Sequence, residues 1–346
     1  MLAANAPDID ILSYVRGEYF ALSFRRGITH GWPALLVLPF VVAGIILAWD
    51  RWVRRRIEPR ENPVRAVPIL GLSAVGLLTH PALDWMNTYG MRWSLPFDGT
   101  WTYGDALFII DPWIWLALGG AIFLASNPSR RGLLGWAVIG TLASLLVLAA
   151  FGPVARILWA LGVVTIVSLR FLEGPRAMGE RGTLVRVAGV GVVLYIGVLV
   201  AANGVARKQV LRAARADGLT TRDVMVAPVR GNPFVSEVEV LTDDAYVPGV
   251  HSWVGTPRVE LFPGDAVPLV SGPAALTREK LEDVAATARE QSVVSDYLVW
   301  SRYPYMRVEP DGNGWDVLVS DARYDGVPGA GGLSGLRVHV PGTEDP

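Results

Sequence analysis

Long apolar runs fill the first two hundred positions of the chain, and beyond them the pattern breaks into short, alternating stretches. Six runs stand out: Pro33–Trp49, Val64–Thr79, Ala106–Ala125, Gly132–Phe151, Val154–Leu172 and Leu184–Ala202. Each has about 16–20 residues, close to the roughly 20 a helix needs to cross a 30 Å hydrocarbon core. Trp32, Trp49, Trp52, Trp113, Trp136 and Trp159 stand at or near run ends, as interfacial aromatics do. After Asn203 the periodicity changes. Val224–Val229, Val235–Leu241, Arg258–Phe262, Tyr305–Glu309 and Trp315–Ser320 read as strands separated by Gly and Pro. Leu276–Gln291 and Val293–Trp300 read as helices, and Gly204–Gly218 extends the last span. The pattern predicts a polytopic α-helical membrane bundle of about six spans over 1–203. A soluble α+β domain follows over 204–346.

Arginine placement orients the bundle. Arg51, Arg54, Arg55, Arg56, Arg60 and Arg65 follow the first run, Arg130 and Arg131 the third, Arg176 and Arg181 the fifth. These alternate loops share one side, which the positive-inside rule makes cytoplasmic. The opposite side receives Met1–Trp32, His80–Asp105 and everything after Asn203. The expected location is the cell membrane, multi-pass, with an extracytoplasmic C-terminal domain. Arg207, Lys208, Arg212 and Arg215 run against the rule, but long domains translocate largely regardless of charge.

Composition agrees with the pattern. Hydrophobic residues make up 51% of the 346 and charged ones only 18%, against about 25% charged in an ordinary soluble domain. Mean hydropathy is +0.36. Net charge is −1, so no global field points to nucleic acid. There is no cysteine, which removes disulfides and thiolate chemistry. Met1–Asp10 lacks the basic start of a signal peptide. Membrane lipids are the expected surroundings.

The candidate chemistry gathers at the outer ends of the runs. His30 precedes the first, and His80 follows the second, four residues before Asp84. On a helix that spacing puts both side chains on one face, where they can hold a borderline cation such as zinc. Asp8 and Asp10 lie upstream of His30, and Asp105 and Asp111 near the start of the third run. Asp111-Pro112 also reads as a helix start, with Asp as N-cap. Arg25, Arg26 and Arg92 fall on the same side, where arginines beside a metal-type cluster suggest an anionic, phosphate-bearing substrate. His251 and His339 lack carboxylates at metal spacing and read as structural.

Three blocks carry a resemblance. Pro7-Asp8-Ile9-Asp10 with Phe24-Arg25-Arg26-Gly27-Ile28-Thr29-His30 is similar to the "PDxD … HRGxTHS" segment of the YdjM-type predicted membrane-bound metal-dependent hydrolases. His80-Pro81-Ala82-Leu83-Asp84-Trp85-Met86-Asn87-Thr88-Tyr89-Gly90 resembles that family's "HxxxDxxTTYG" block, and Gly104-Asp105 through Asp111-Pro112 its "D-x-x-F-I-x-D-P" block. All three occur in order over roughly residues 5–125. The resemblance implies a distant relation to zinc-dependent phospholipase C and to single-strand nucleases of similar helical fold, which hydrolyse phosphoesters with divalent metals. It implies His30, His80 and Asp84 as ligands, with Asp8 or Asp10 as another. Asp105 and Asp111 become ligands or partners that orient the histidines, and Arg25, Arg26 and Arg92 phosphate clamps. The implied metal is zinc, with manganese as the alternative. Two departures stand out: relatives of this type begin earlier, with a histidine-bearing apolar helix whose end Met1-Leu2-Ala3-Ala4-Asn5 resembles, and Arg25 stands where many have histidine.

The favoured expectation is a metal-dependent hydrolase of a lipid or lipid-linked phosphoester at the extracytoplasmic face. The alternative is a non-enzymatic membrane protein whose polar cluster is structural and whose C-terminal domain binds a partner. A transporter fits worst, because the polar groups gather at an edge and not at mid-membrane.

Overall fold

A computed structural model describes residues 2–59, 62–126, 128–172, 181–324 and 331–342. Arg60 and Arg176 lie outside these residues, as does the side chain of Arg181. Five described helices are long and apolar enough to cross a membrane. They are α2 (Trp32–Ile57), α3 (Ala66–Trp85), α5 (Arg130–Ala150), α6 (Pro153–Leu172) and α7 (Arg181–Ala216). A short helix, α1 (Glu18–Phe24), precedes them. The run at 106–125 is the exception to the six-span expectation: it forms only a shorter apolar helix, α4 (Pro112–Ala125). Asp111 caps that helix, its Oδ1 accepting from the backbone N–H of Trp113 and Ile114 at 2.9 and 3.0 Å, so residues 106–111 stay outside it. Large apolar side chains such as Leu36, Phe40, Val67, Leu134 and Val193 are exposed along the bundle, as surfaces meeting lipid tails should be.

α7 runs unbroken past Asn203. Its last turns pack Ala206, Val210 and Ala214, spaced by four, against Val224, Val226, Val238 and Val240. Those valines belong to an antiparallel sheet of β1 (Asp223–Val229), β2 (Asn232–Leu241), β3 (Ala245–Ser252) and β4 (Val259–Leu261), with β5 (Val267–Pro268) also on β3. A second sheet has the order β6 (Val270–Ser271), β7 (Pro304–Asp311), β8 (Gly314–Asp321), β9 (Leu336–Pro341). It is covered by α8 (Arg278–Arg289) and α9 (Ser292–Trp300) through Val284, Ala288, Val294 and Trp300. The C-terminal region is therefore α+β.

This region sits on the end of the bundle that carries His30 and Asp84. Leu22 of α1 and Tyr89 join the core of the second sheet. Ser23 Oγ donates to Asp296 at 3.2 Å, Trp101 Nε1 to the Val299 carbonyl at 2.6 Å, and the Gly332 N–H to Glu18 at 2.9 Å.

Candidate metal centre

Three pieces of local structure build the site. Pro7–Arg16 is a 3-10 helix whose first turn offers Asp8 and Asp10. The turn from Phe24 to His30 needs Arg26 in the left-handed region at φ 52°, a conformation costing a non-glycine residue about 1–2 kcal/mol. That turn sends the Arg26 N–H to Asp10 Oδ2 at 2.9 Å and the guanidinium to Asp84 Oδ1 at 3.0 Å. Gly31 then passes so close to the Trp93 carbonyl that a Cβ there would lie 2.6 Å from its oxygen, which fixes His30 at the mouth of α2. Finally, α3 places His80 and Asp84 one turn apart on a single face.

The side chains converge. Asp84 Oδ2 lies 3.4 Å from His30 Nε2 and 3.5 Å from His80 Nε2. Asp8 lies 3.8 Å from His30 Nε2 through Oδ1 and 3.5 Å from His80 Nε2 through Oδ2. Asp8, His30 and His80 each present a ligand atom within 4.8 Å of the others, so this trio can hold a metal ion. A tetrahedral ion with bonds of about 2.0–2.1 Å needs ligand atoms roughly 3.3 Å apart, near the separations found. Charge-assisted hydrogen bonds to carboxylates are shorter, about 2.7–2.9 Å. Consistent with that, both Nε2 atoms are buried without a hydrogen-bond partner.

The far side of His30 is held as a ligand's would be. Its Nδ1 lies 3.2 Å from Asp10 Oδ2 and 3.0 Å from Thr29 Oγ1. An ionised Asp10 only accepts, so Nδ1 carries a hydrogen, and in the neutral imidazole the Nε2 lone pair then faces the cup. Burial alone would push the Asp10 carboxyl up. The bond from His30, the Arg26 N–H and the Arg25 charge hold it below its ordinary value. For His30 burial works downward, and the nearby carboxylates of Asp10 and Asp84 outweigh it. Three carboxylates (Asp8, Asp10, Asp84) face two guanidiniums (Arg25, Arg26), leaving a net charge of −1 with neutral imidazoles. A divalent cation would reverse that sign.

The arginines divide. Arg25 bridges Asp8 and Asp10 at 3.3 Å each and stays partly exposed at the rim. Arg26 is buried, donating also to Asn87 Oδ1 at 2.9 Å and lying 4.4 Å from the Tyr89 ring centre. Arg92 is away from the cup: its Nη2 donates to the carbonyls of Ser23, Phe24 and Arg25 at 2.5, 3.2 and 3.3 Å, closing the C-terminus of α1. Asp105 pairs with Arg302 at 2.8 Å, and Asp111 caps α4 and accepts from the Tyr195 hydroxyl at 3.0 Å. Neither touches the histidines. Thr29 and Asn87 are contributors that the residue-type search passes over, although both lie inside the recognised blocks.

Residues 1–154 match the family model described as YdjM inner membrane protein. This stretch holds the whole cup and reaches the first residues of α6, and over it the chain is similar to that family of membrane proteins. No curated protein and no solved structure matches the chain.

Proposed function

We propose that the protein is a membrane-bound metal-dependent hydrolase of a phosphoester, with zinc, or else manganese, held by Asp8, His30, His80 and Asp84. The observation that carries this reading is the pair of buried, unpartnered Nε2 atoms aimed at the same two carboxylates. A divalent cation there supplies Lewis acidity toward a phosphoryl oxygen and makes water acidic enough to attack near neutral pH. The chain's own residues do the rest. Asp10 fixes the His30 ring, Arg26 holds Asp84 in place, and the exposed edge of Arg25 meets an anionic oxygen entering past Asp8. The apolar neighbours Ile9 and Leu83, both exposed, favour a lipid or lipid-linked ester. With α4 taken as carrying the chain across between α3 and α5, the arginines of alternate loops favour the extracytoplasmic face for the site and the C-terminal region.

Metal analysis of the purified full-length protein tests the reading. At least one zinc or manganese per chain is expected, lost in His80→Ala and in Asp84→Ala. Unchanged metal in both variants overturns it. Bound metal with no turnover across a panel of phosphoesters would leave a structural metal in a non-enzymatic membrane protein. A reporter fused after Pro346 must register outside the cytoplasm.

A further inference from the structure

The segment that delivers Asp8 has a second, unused face. In a 3-10 helix side chains at i and i+3 eclipse, so Pro7–Arg16 has three distinct rows. Pro7, Asp10 and Ser13 turn inward and are buried. Asp8 shares the next row with Ile11 and Tyr14. The third row is Ile9, Leu12 and Val15, all aliphatic and 59, 66 and 89% exposed. No other part of the described residues covers it.

The depth of this row is fixed by its neighbours. Just before it, Ala3 is buried against Val42 of α2 and Leu77 of α3, and a Cβ on Gly76 would lie 3.3 Å from the Ala3 Cβ. Gly76 is nine residues from the end of α3, about 14 Å down the helix at 1.5 Å per residue. From Ala3, halfway along a spanning helix, the backbone climbs to the level of His80 and Asp84. At that level hydrocarbon gives way to headgroups. Trp32 and Phe97, both exposed, stack there with ring centres 5.5 Å apart, as aromatics at a membrane interface do. Arg16 and Arg25 supply cations beside the row, matched to lipid phosphates.

We infer that Pro7–Arg16 is an interfacial arm that seats Ile9, Leu12 and Val15 in the lipid leaflet on the cup's side. The seat holds Asp8 at the depth of the two histidines and opens the cup sideways to the leaflet. The docking itself does not depend on a metal being bound, so it stands or falls apart from the hydrolase reading.

The chain has no cysteine, which makes single-site labelling direct. Leu12→Cys and Val15→Cys, each carrying an environment-sensitive nitrobenzoxadiazole label, are compared in full-length protein in phosphatidylglycerol–phosphatidylcholine nanodiscs. Val254→Cys, at an exposed site of the C-terminal region, is the reference. Both arm labels should show blue-shifted emission. They should lose fluorescence to lipids with a doxyl group near the headgroup end of the acyl chain and resist aqueous iodide. The reference label should do the reverse. Arm labels quenched by iodide as strongly as the reference overturn the inference. Labels shielded from both quenchers overturn it too, because a protein surface, such as a second copy, would then cover the row.

Discussion

Two buried clusters of acids and bases lie within the same end of this molecule, and they differ in how completely they satisfy themselves. Where the C-terminal region meets the bundle, Asp321 is saturated. Its Oδ1 accepts from the Arg323 N–H and Nε, and its Oδ2 from Arg323 Nη2, Ser301 Oγ and the N–H groups of Arg302 and Tyr303, at 2.6–3.2 Å. Arg323 then reaches the Thr88 carbonyl, and Arg302 joins Asp105 to Asp223. In the cup, by contrast, carboxylates outnumber guanidiniums and two imidazole nitrogens have no partner. A closed network of this kind is a joint; an open one of excess negative charge can receive a cation. One atom blurs the line, since Asp105 Oδ1 is also unpartnered, but Arg302 already neutralises that carboxylate.

The sharpest way to break this contrast is to cut the joint. Asp321 and Arg323 are both fully buried, and removing one member of a buried pair costs about 3–5 kcal/mol. Arg323→Ala should therefore lower the melting temperature markedly, read by circular dichroism in detergent. A loss no larger than that of a surface substitution would mean the joint carries little. The same pair sets an acid limb. Burial pushes the Asp321 carboxyl up, but the charge and bonds of Arg323 hold it below its ordinary value. Its stabilisation is then complete above the unfolded value of about 3.9 and fades as pH falls toward the lower folded value. Asp321→Asn should flatten that part of the stability profile.

Smaller in energy, but more telling, is a pair of isosteric changes. Asp10→Asn keeps the shape beside His30 and removes the charge that orients its ring. Losing such a partner typically weakens metal binding about 10–100-fold, measurable by competition with a chelator. Asp105→Asn should leave that affinity unmoved while lowering thermal stability. If the two swap their effects, the assignment of joint and cup is reversed.

How far the sequence foretells this depends on the range of the interaction. Spans are legible because lipid demands a long apolar run whatever surrounds it. The run at 106–125 misleads because Ala106 and Leu107 are apolar for another reason: they are buried beneath the end of α3, both N–H groups donating to the Met86 carbonyl. Asp111-Pro112 already marks the true start of the helix. β3 is obscured by Pro248 and Gly249, and β9 is absent from the strands read in the sequence although it alternates plainly, with Leu336, Val338 and Val340 buried and Arg337 and His339 exposed. In the site, His80 and Asp84 meet through helical spacing alone, and the recognised blocks bring in Asp8, Asp10 and His30. The roles of Arg92, Arg302 and Arg323 have no local signal. The partners of Arg92 and Arg302, and the Thr88 carbonyl that Arg323 reaches beyond its neighbour Asp321, lie about 70, 200 and 235 residues away in sequence, set by packing rather than by period.

The smallest expected effect tests the reading of a single carboxylate. Asp111 lies toward the end of the bundle that meets the C-terminal region and could pass for a ligand by type. Three of its roughly four acceptor sites are used, however, by Trp113, Ile114 and Tyr195. Asp111→Ala should cost the usual price of a helix cap, about 0.5–2 kcal/mol, and leave metal content as it was. Asp111→Asn should recover part of the stability, since an amide oxygen still accepts from the two N–H groups. A fall in metal content in either variant would extend the cup across the bundle to α4, and the separation between an open site and closed supports would no longer hold.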